Sequence, residues 1–507
     1  MNIREITSGL TVLGKNRQNG DCEVRGLAAD SRHVRPGYVF FALPGANTDG
    51  HLFLNEAIDR GAVLVVIQDR NSIPEIQDHV PYILVSNVRE AMAHISTVFY
   101  GHPSRKMHVV GITGTNGKTT TCFLLHSIFE EGGWPCGLLT TVKNLIGNEE
   151  YESVNTTEDA LSVSSRLDAL LKKGIRHTVM EVSSHGLALG RVAEILFDTA
   201  VVTNLVSEHL EFHGTYDHYF ASKKKLLSMV EANREKTTPP LVVANGDDPE
   251  VMRMAGGYNV PLITFGIERG VDVRAVNPKH AFDRTEFTVQ SPWGTFPLQI
   301  SQPGLHNVYN ALGAVSVALF YGLTQETIAR GLALTPRVPG RWERVRAGQD
   351  FEIIVDFAHN WHALEKSLSL VRNLTSGKII SVFGCGGERD KRKRPLMGEA
   401  VARWSDLCIL TTDNPRHEDP MSTINDALEG VCKKAGVRAV EYRAIVDRRE
   451  AIRQALQAAG PGDIVFLAGK GPERSQIFAD YSINHNDLEI VRSFIQEGIH
   501  AVQTRRD

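Results

Sequence analysis

Residues 108–121 read His-Val-Val-Gly-Ile-Thr-Gly-Thr-Asn-Gly-Lys-Thr-Thr-Thr. The apolar run His108–Ile112 predicts a buried strand, and the apolar periodicity of Cys122–Phe129 predicts a helix after a glycine-rich turn. A strand, a glycine loop ending in Gly-Lys-Thr and a helix form the arrangement that surrounds a nucleotide triphosphate. The stretch therefore predicts ATP binding, with Lys118 on the outer phosphates and the Thr119 hydroxyl on Mg²⁺.

The loop departs from the strict pattern G-x-x-x-x-G-K-[ST] at one position. Ile112 stands where the first glycine is expected, and the glycines lie at positions 111, 114 and 117 instead. A chance glycine-rich loop is the alternative interpretation. The Gly-Lys-Thr-Thr ending at a strand-to-helix junction argues against it.

The bulk composition is that of an ordinary globular protein. The chain has 507 residues, 42% of them hydrophobic and 22% charged, and this length predicts three domains. The 55 basic residues nearly balance the 59 acidic ones, giving a net charge of −4. This balance does not favour a nucleic-acid binder or a membrane-surface protein, and we expect small-molecule substrates and a monomer.

The cysteine pattern and the first residues predict where the protein works. The six cysteines are scattered, without a C-x-x-C pair, which favours buried thiols in a reducing compartment. Residues 1–5, Met-Asn-Ile-Arg-Glu, do not resemble a signal peptide, and no apolar run is long enough for a membrane span. We therefore expect a cytoplasmic protein without membrane insertion.

Three α/β domains are predicted, with boundaries at 1–103, 104–337 and 338–507. The first has strand-like runs at Val39–Leu43, Val63–Ile67 and Tyr82–Val85. The second and third alternate strands with helices, which predicts a mostly parallel sheet and a doubly wound sheet, respectively. The predicted strands of these two domains are His177–Val182, Thr199–Asn204, Leu241–Ala244, Glu352–Val355, Ile379–Phe383, Leu407–Thr411 and Ile464–Phe466.

Four polar clusters in the second domain bear on an ATP–Mg²⁺ site. Glu181 closes an apolar strand, where a carboxylate can hold Mg²⁺ beside phosphates; a serine-hydrolase elbow is disfavoured because Val182 replaces a required glycine. His209 and His213 would share a helical face, but the zinc signature H-E-x-x-H is absent. The lysine run at 223–225 and the polar loop at 155–157 are, taken alone, typical of solvated surface.

Polar clusters also follow the predicted strands of the third domain. Because parallel strands end at one sheet edge, we expect these clusters to gather there. Arg389 and Arg416 offer planar guanidinium groups that bind a carboxylate through two hydrogen bonds. The basic run Lys391–Arg394 is predicted to be a loop rather than a nucleic-acid patch.

In this order, the motifs resemble those of the Mur ligase family, the ATP-dependent amide ligases of peptidoglycan synthesis. The resemblance covers essentially the whole chain. The motifs that carry it are Asp-Ser-Arg at 30–32, Gly-Thr-Asn-Gly-Lys-Thr-Thr at 114–120, Glu-Val-Ser-Ser-His-Gly-Leu at 181–187, Tyr-x-x-x-Lys at 219–223, Asn-Val-Tyr-Asn-Ala at 307–311, Pro-Gly-Arg at 339–341, Gly-Cys-Gly-Gly-x-Arg-Asp at 384–390 and Asp-Asn-Pro-Arg at 413–416. The family implies a UDP-binding first domain, a P-loop central domain and a Rossmann-like third domain.

The resemblance implies roles for the ATP side of the site. Lys118, Thr119 and Glu181 would serve ATP and a first Mg²⁺, while His209 and Lys223 would serve a second metal. Lys223 would be carbamylated by CO₂ and so become an anion. The ATP-binding residues implied in this way are Gly114, Thr115, Asn116, Gly117, Lys118, Thr119, Thr120, Asn307, Arg341 and Asp356.

The resemblance also implies two substrate sites. The residues implied for the UDP-muramoyl-dipeptide are Ser31, Thr156, Thr157, Ser184 and Arg191. The Asp-Asn-Pro-Arg motif resembles the version in family members that add meso-diaminopimelate as the third amino acid of the peptide. The residues implied for that amino acid are Arg389, Asp413, Asn414, Arg416, Gly469 and Glu473.

The sequence departs from the family pattern at several positions. Glu158 replaces a proline, Glu208 and Glu211 replace aspartates, Trp361 lies in a changed helix opening, and Pro472 replaces a histidine. These changes leave open a ligase diverted to another amino acid or acceptor. Two further alternatives are a folylpolyglutamate synthetase-like ligase, which the complete first domain disfavours, and an NTPase without ligase chemistry, which the arginines of the third domain disfavour.

Overall fold

The computed structural model describes residues 1–16, 21–45, 48–73, 80–153, 155–233, 235–435 and 440–503. In these residues the strands form sheets of five, eleven and six strands and a two-stranded hairpin. The three large sheets follow one another along the chain and are covered by helices. The predicted three-part α/β architecture is confirmed.

The first sheet contains β1 (Gly14–Lys15), β2 (Gly26–Ala28), β3 (Tyr38–Phe41), β4 (Ala62–Ile67) and β5 (Tyr82–Leu84), in the order β1-β5-β4-β3-β2. All neighbours are parallel except β1 and β5. The α-helices of this unit are Ile3–Ile6, Leu54–Asp59 and Val88–Phe99. The last begins at the Asn87 cap and buries Val88, Met92 and Ile95 on one face, as expected for a helix lying on a sheet.

The second sheet has a parallel centre and antiparallel ends. Its order is β16-β15-β14-β13-β12-β11-β6-β10-β7-β8-β9. The seven strands from β14 to β7 in this order are parallel to one another. The strands β15 and β16 at one end and β8 and β9 at the other are antiparallel to their neighbours. The strands are β6 (His108–Thr113), β7 (Cys136–Leu139), β8 (Asn144–Ile146), β9 (Glu149–Tyr151), β10 (His177–Glu181), β11 (Thr199–Val202), β12 (Leu241–Asn245), β13 (Leu262–Gly266), β14 (Val273–His280), β15 (Thr285–Ser291) and β16 (Gly294–Ile300). The mostly parallel sheet is confirmed.

Helices cover both faces of this sheet, which explains why β6 is buried along its whole length. Lys118–Glu131 and Leu305–Phe320 pack on one face, where Phe123 and Phe129 join the core. Tyr216–Ala232 packs on the other face. The remaining α-helices of the unit are Ala160–Lys172, Ser184–Ala188, Leu210–His213, Pro249–Ala255 and Gln325–Leu334.

The third sheet is doubly wound, as predicted. It contains β17 (Glu343–Val345), β18 (Glu352–Asp356), β19 (Ile379–Phe383), β20 (Leu407–Thr411), β21 (Glu441–Ile445) and β22 (Ile464–Ala468), in the order β17-β18-β22-β19-β20-β21. Only β17 is antiparallel to its neighbour. The α-helices are Trp361–Leu374, Lys393–Trp404, Pro420–Ala435, Arg448–Ala458 and Asp487–Gln503, and the hairpin is β23 (Ser475–Ile477) with β24 (Ser482–Asn484).

One local prediction is wrong. The basic run Lys391–Arg394 is a loop only in its first half, because Lys393 begins the helix Lys393–Trp404. The guanidinium of Arg394 is 2% exposed and binds the carboxylates of Glu418 and Asp426 at 2.8 Å each. These partners offset the cost of burying the charge, so the run does not remain in solvent.

Two other expectations concern the chain as a whole. None of the six cysteines, all of which lie in described ranges, forms a disulfide bond, and four of them are buried. Across the described ranges, no helix combines the length and apolar content needed to cross a membrane.

Candidate active site

The phosphate loop joins β6 to the helix Lys118–Glu131 and is held by the segment after β11. Thr115 N donates to the Asn204 carbonyl oxygen at 2.9 Å, and Asn116 N donates to Asn204 Oδ1 at 3.0 Å. In return, Thr203 Oγ1 and Asn204 Nδ2 donate to the Asn116 carbonyl at 2.6 and 2.8 Å. These bonds fix the loop backbone at the N-terminus of a helix, where free N–H groups attract phosphate.

Two glycines of this loop cannot be replaced by another residue type without backbone strain and a steric clash. Gly114 and Gly117 have φ angles of 144° and 91°, in the region that favours glycine. A Cβ atom on Gly114 would lie 2.0 Å from Thr203 Oγ1, and one on Gly117 would lie 2.1 Å from Asn310 Oδ1. The following first turn places Thr119 and Thr120 in the interior, each no more than 5% exposed. The loop is therefore closely packed on both sides.

Lys118 folds back over the loop from the first turn of its helix. Its Nζ donates to the carbonyl oxygens of Gly114 and Thr115 at 3.1 and 2.9 Å. Burial lowers the pKa of Lys118, and the nearby Glu181 carboxylate counteracts part of that effect. The amine thus lies directly over the backbone that would cradle a triphosphate.

Lys223 is buried although it belongs to a run of three lysines. Its side chain is 2% exposed, while Lys224 is half-buried and Lys225 is exposed. Lys223 Nζ donates to the Gly114 carbonyl at 2.8 Å and lies 4.9 Å from the ring centroid of Tyr219. Desolvation and the nearby charge of Lys118 hold the pKa of Lys223 well below its usual range. The interpretation of this run as a solvated face is therefore wrong for Lys223, because the helix Tyr216–Ala232 packs that side against the phosphate loop.

Glu181 ends β10 at the same sheet edge as the phosphate loop. β10 lies beside β6, with Glu181 opposite Ile112. The carboxylate is 1% exposed and accepts hydrogen bonds from Thr141 N at 3.3 Å and Thr141 Oγ1 at 2.9 Å. Among the described residues, no three His, Cys, Asp or Glu side chains form a ready-made metal site. Mg²⁺ commonly takes one or two carboxylates together with substrate phosphates, and Glu181 with Thr119 fits that donor set.

A histidine cluster follows the loop after β11. His209 caps the short helix Leu210–His213 with a positive φ of 56°. The rings of His209 and His213 lie 4.8 and 5.4 Å from the ring of His185, so both face the same neighbour. Burial lowers the pKa of His185 to about 3 and that of His213 to about 4. These two rings are consequently neutral at physiological pH.

Asn307 lies in the helix Leu305–Phe320, one turn before Asn310, which borders the phosphate loop. Its side chain is 5% exposed. Asn307 Nδ2 donates to the Pro303 carbonyl at 2.8 Å, and Asn307 Oδ1 accepts from Asn310 Nδ2 at 3.0 Å. This places the implied adenine contact beside the loop.

Asp356 and Arg341 approach from the third sheet. The Asp356 carboxylate accepts from Trp342 N at 2.8 Å and Ala358 N at 2.9 Å, and burial raises its pKa. The Arg341 guanidinium lies 4.4 Å from the Phe357 ring centroid, and burial lowers its pKa. Their charges partly offset these two pKa shifts, as expected for neighbouring opposite charges.

Four of the five residues implied for the UDP-muramoyl-dipeptide lie in the second unit, and Thr156 is half-buried. Thr157 Oγ1 donates to Ser183 Oγ at 3.1 Å and accepts from Ser183 N at 2.9 Å. Arg191 Nη1 donates to the Thr157 carbonyl at 2.6 Å, and burial lowers the Arg191 pKa. Ser184 begins the next helix and is 2% exposed.

Ser31 lies apart from this group, in the first unit. It begins a 3-10 turn capped by Asp30 and is 5% exposed. Ser31 Oγ donates to Glu56 Oε2 at 2.7 Å.

The residues implied for the amino-acid substrate gather at the carboxyl edge of the third sheet. Arg416 has a positive φ of 52°, and its Nη1 donates to the Gly387 carbonyl at 2.5 Å. A Cβ on Gly386 would lie 3.5 Å from Arg389 Cγ and 3.6 Å from Arg416 Nη1, so both arginines border one glycine loop. The predicted convergence of these loops is confirmed by the parallel strands that carry them.

The remaining four members, Asp413, Asn414, Gly469 and Glu473, lie on the loops that follow β20 and β22. Asn414 Nδ2 donates to Glu473 Oε2 at 3.0 Å. A Cβ on Gly469 would lie 3.4 Å from Asp413 Oδ2, and burial raises the Asp413 pKa. Gly469 N donates to the Asp356 carbonyl at 3.1 Å, which joins this group to the implied ATP contact.

Two ion pairs join the third unit to the histidine segment of the second. Arg389 Nη1 lies 2.7 Å from Glu211 Oε1, and Lys393 Nζ lies 3.1 Å from Glu208 Oε1. Glu208 and Glu211 are the two positions where the family usually has aspartate. The arginine-bordered loop therefore lies against the segment after β11, the same segment that holds the phosphate loop.

Sequence reasoning missed several residues that hold the site together. Lys470 and Arg394 are buried cations beneath the amino-acid group. Tyr219 Oη lies 2.7 Å from Thr115 Oγ1 and ties the lysine helix to the phosphate loop. Lys470 could have been found from its place between two glycines after a buried strand, but its partners depend on long-range packing.

The fold and the site are those of an ATP-dependent ligase, and sequence profiles agree. Three profiles match: the Mur ligase family catalytic domain at residues 23–100, the Mur ligase middle domain at 112–318 and the Mur ligase glutamate ligase domain at 340–471. The chain belongs to the Mur ligase family.

Curated relatives and solved structures agree over the whole length. Two proteins, from Geobacillus thermodenitrificans and Solibacter usitatus, are named UDP-N-acetylmuramoyl-L-alanyl-D-glutamate--2,6-diaminopimelate ligase. They are 39% and 40% identical to this chain, covering 98% and 99% of it and 100% of each relative. A solved structure of a ligase with the same name is 28% identical, with a TM-score of 0.66 and 99% of both chains covered. Thermotoga maritima MurF in complex with ADP shares the fold at 21% identity, with a TM-score of 0.64 over 94% of this chain and 99% of that one.

Proposed function

We propose that this enzyme joins meso-diaminopimelate to the γ-carboxylate of D-Glu in UDP-N-acetylmuramoyl-L-Ala-D-Glu, with ATP converted to ADP and phosphate. The observation that carries the proposal is the contact of Arg389 with Glu211, which holds the arginine-bordered loop against the segment after β11 that also binds the phosphate loop. An amide ligase needs its acceptor amine and its phosphorylated acid in one cleft. The names of the relatives support the same substrates.

The first step is formation of an acyl phosphate. An oxygen of the D-Glu γ-carboxylate attacks the γ-phosphorus of ATP, and the bond from that phosphorus to the β–γ bridging oxygen breaks to release ADP. Lys118 supplies positive charge to the phosphoryl oxygens, and the N–H groups of the loop orient them. Positioning and charge are the main contributions of the protein to such a transfer.

The second step is aminolysis. A neutral amine of diaminopimelate attacks the acyl carbon, the carbon–oxygen bond to phosphate breaks, and the proton lost by the amine as the amide forms passes to the departing phosphate. In our proposal, Arg416 and Arg389 bind the distal carboxylate, Arg389 through nitrogens other than the Nη1 that contacts Glu211. Glu473 binds the ammonium group of that end, and Asn414 donates to Glu473 from the other side. The two cross-unit ion pairs support a closed cleft, which protects the acyl phosphate from hydrolysis.

We further propose Mg²⁺ and a carbamate at this site. Thr119 and Glu181 would hold one Mg²⁺, and His209 with carbamylated Lys223 would hold a second; the metal supplies charge neutralisation at the phosphates. Carbamylation requires a free amine as the nucleophile for CO₂. The lowered pKa of Lys223 supports this modification because it increases the fraction of neutral amine.

The proposed organisation is a monomer of three domains, at 1–103, 104–337 and 338–507, working in the cytoplasm where ATP is abundant. In the proposal, Ser31 of the first domain lies on the UDP side, and Thr156, Thr157, Ser184 and Arg191 line the dipeptide.

The test is ADP release by the purified enzyme with UDP-N-acetylmuramoyl-L-Ala-D-Glu and a panel of amino acids. We expect release to require both the muramoyl-dipeptide and meso-diaminopimelate, with L-lysine a poor substitute. Release that is independent of the amino acid would instead support an NTPase. Release with a different amino acid would support a diverted ligase.

A further inference from the structure

Beneath the amino-acid group lies a cation to which the proposed mechanism gives no role. Lys470 follows β22 between Gly469 and Gly471, and its side chain is 0% exposed. A lysine is almost never buried to this extent unless its charge is paired. Its partners therefore indicate what it does.

All three N–H groups of the Lys470 ammonium group donate hydrogen bonds within the protein. Its Nζ donates to Asn414 Oδ1 at 2.9 Å, to Glu473 Oε2 at 2.5 Å and to the Ser475 carbonyl at 2.6 Å. Asp413 Oδ1 lies 3.7 Å away. Since an ammonium group has three N–H donors, none remains for a substrate. Lys470 consequently acts through the side chains it binds.

These bonds set the orientation of Asn414. Its Oδ1 accepts from Lys470 and also from Ile477 N at 3.0 Å. Because two donors bind this atom, it must be the amide oxygen and the other atom must be the nitrogen. Asn414 Nδ2 therefore points toward Glu473 Oε2, 3.0 Å away. Without Lys470, the amide would lose one of these two constraints.

The same bonds leave one end of Glu473 available. Its Oε2 accepts from both Lys470 and Asn414, whereas Oε1 has no hydrogen-bond partner among the described residues. The side chain is 36% exposed, so Oε1 is open to a ligand. Lys470 also balances charge, because Asp413 and Glu473 would otherwise place two carboxylates side by side. With Lys470 the group has a net charge close to −1, which suits one ammonium group.

We propose that Lys470 is a positioning residue for the amino-acid substrate, holding Glu473 so that Oε1 receives the substrate's ammonium group. This inference rests on the proposed function, since it assigns the occupant of the pocket as a diamino acid. It predicts that Lys470 controls the KM for the amino acid and has little effect on the KM for ATP.

The experiment is steady-state kinetics of Lys470→Met, Glu473→Gln and the double variant of the full-length enzyme, with meso-diaminopimelate, ATP and the muramoyl-dipeptide varied in turn. Lys433→Met is the matched control, because that lysine is 73% exposed and pairs with Glu399 on the outer helices. Lys470→Met should raise the KM for diaminopimelate by about tenfold or more and change the KM for ATP by less than about twofold. Lys433→Met should change neither.

The double variant distinguishes a positioning role of Lys470 from a general structural effect of the substitution. If Lys470 acts through Glu473, the double variant should be no worse than the poorer single variant, because the two effects are coupled. Multiplying effects, or equal increases in the KM values for ATP and diaminopimelate, would overturn the inference. If Lys470→Met does not fold, Lys470→Arg takes its place with the same expected KM split, because a larger cation cannot keep the same three acceptors. Failure of the wild type to use diaminopimelate would overturn the proposed function itself, whereas a normal wild type with an unaffected variant would overturn only the role of Lys470.

Discussion

Lys118 Nζ and Lys223 Nζ donate to the same carbonyl oxygen, that of Gly114, at 3.1 and 2.8 Å. Burial makes it costly to keep either amine charged, and the charge of Lys118 adds to that cost for Lys223. The pKa of each lysine is lowered, and that of Lys223 falls well below its usual range. In our proposal, Lys118 of this pair binds phosphate and Lys223 reacts with CO₂.

The first prediction concerns the phosphate loop. Lys118→Ala should lower kcat by on the order of 10²–10³, because it removes a preorganised charge from the phosphoryl group. The measurement is ADP release at saturating ATP. Lys172→Ala is the control, since that side chain is 75% exposed at a helix end and should leave the rate unchanged. Near-normal turnover by Lys118→Ala would refute the assignment of this lysine.

The second prediction concerns the buried amine. Lys223 should carry a carbamate, so protein equilibrated with ¹³C-bicarbonate should give a carbamate carbonyl signal by ¹³C NMR. Lys223→Ala should lose this signal and nearly all activity, and a small carboxylic acid should restore part of the activity by supplying the missing anion. Lys225→Ala, which changes an exposed lysine of the same helix, should keep both. An active wild type without the signal would contradict the modification.

The third prediction concerns amino-acid selection. The wild type should prefer meso-diaminopimelate to L-lysine by roughly 10²-fold or more, because lysine leaves the Arg416 guanidinium without its carboxylate partner. Arg416→Ala should reduce this preference chiefly through lost activity with diaminopimelate. The ratio of kcat/KM for the two amino acids measures it, and Arg453→Ala on the outer helix Arg448–Ala458 is the control. Equal use of both amino acids by the wild type would show that the arginine motif does not select the substrate.

The fourth prediction concerns stability in acid. Hydrogen bonds and charge from Arg394, together with the N–H of Glu388, lower the pKa of the Glu418 carboxyl to about 2. Because the pKa is depressed in the folded state, the stabilisation is present above the unfolded pKa of roughly 4.3 and disappears as the pH falls toward 2. As the pH falls over that range, protonation of Glu418 should lower the free energy of unfolding by roughly 2–3 kcal/mol.

Urea unfolding of the wild type and of Glu418→Gln between pH 2 and 6 provides the measurement for this ion pair. The variant should be less stable than the wild type at pH 6, and the two should converge as the pH falls. Parallel stability curves would mean that Glu418 has an ordinary pKa in the folded protein.

The sequence predicted the strands that carry the site because they are short, apolar and buried on both faces. It did not predict β14, β15 and β16, which form the antiparallel end of the central sheet. It also could not predict that Lys223 is buried, since three consecutive lysines are typical of a solvated helix. Burial there results from packing against Gly114, which lies 109 residues away.

The hydrogen-bond partner of Arg389 could not be predicted from the sequence either. Its guanidinium was expected to bind a substrate carboxylate, and the structure places it on Glu211, 178 residues earlier in the chain. Such a contact depends on how two domains meet, which local patterns do not specify. The motifs therefore identified residues of the cleft, and the tertiary structure was needed to show how they are held.

The central claim is ligation of diaminopimelate through an acyl phosphate, and one isotope experiment tests it most directly. The muramoyl-dipeptide is labelled with ¹⁸O in both oxygens of the D-Glu γ-carboxylate and incubated with the enzyme, ATP and meso-diaminopimelate. Mass spectrometry should then find one ¹⁸O atom in each released phosphate and a peptide product extended by one diaminopimelate residue. Unlabelled phosphate, or ADP released without the extended peptide, would contradict the account.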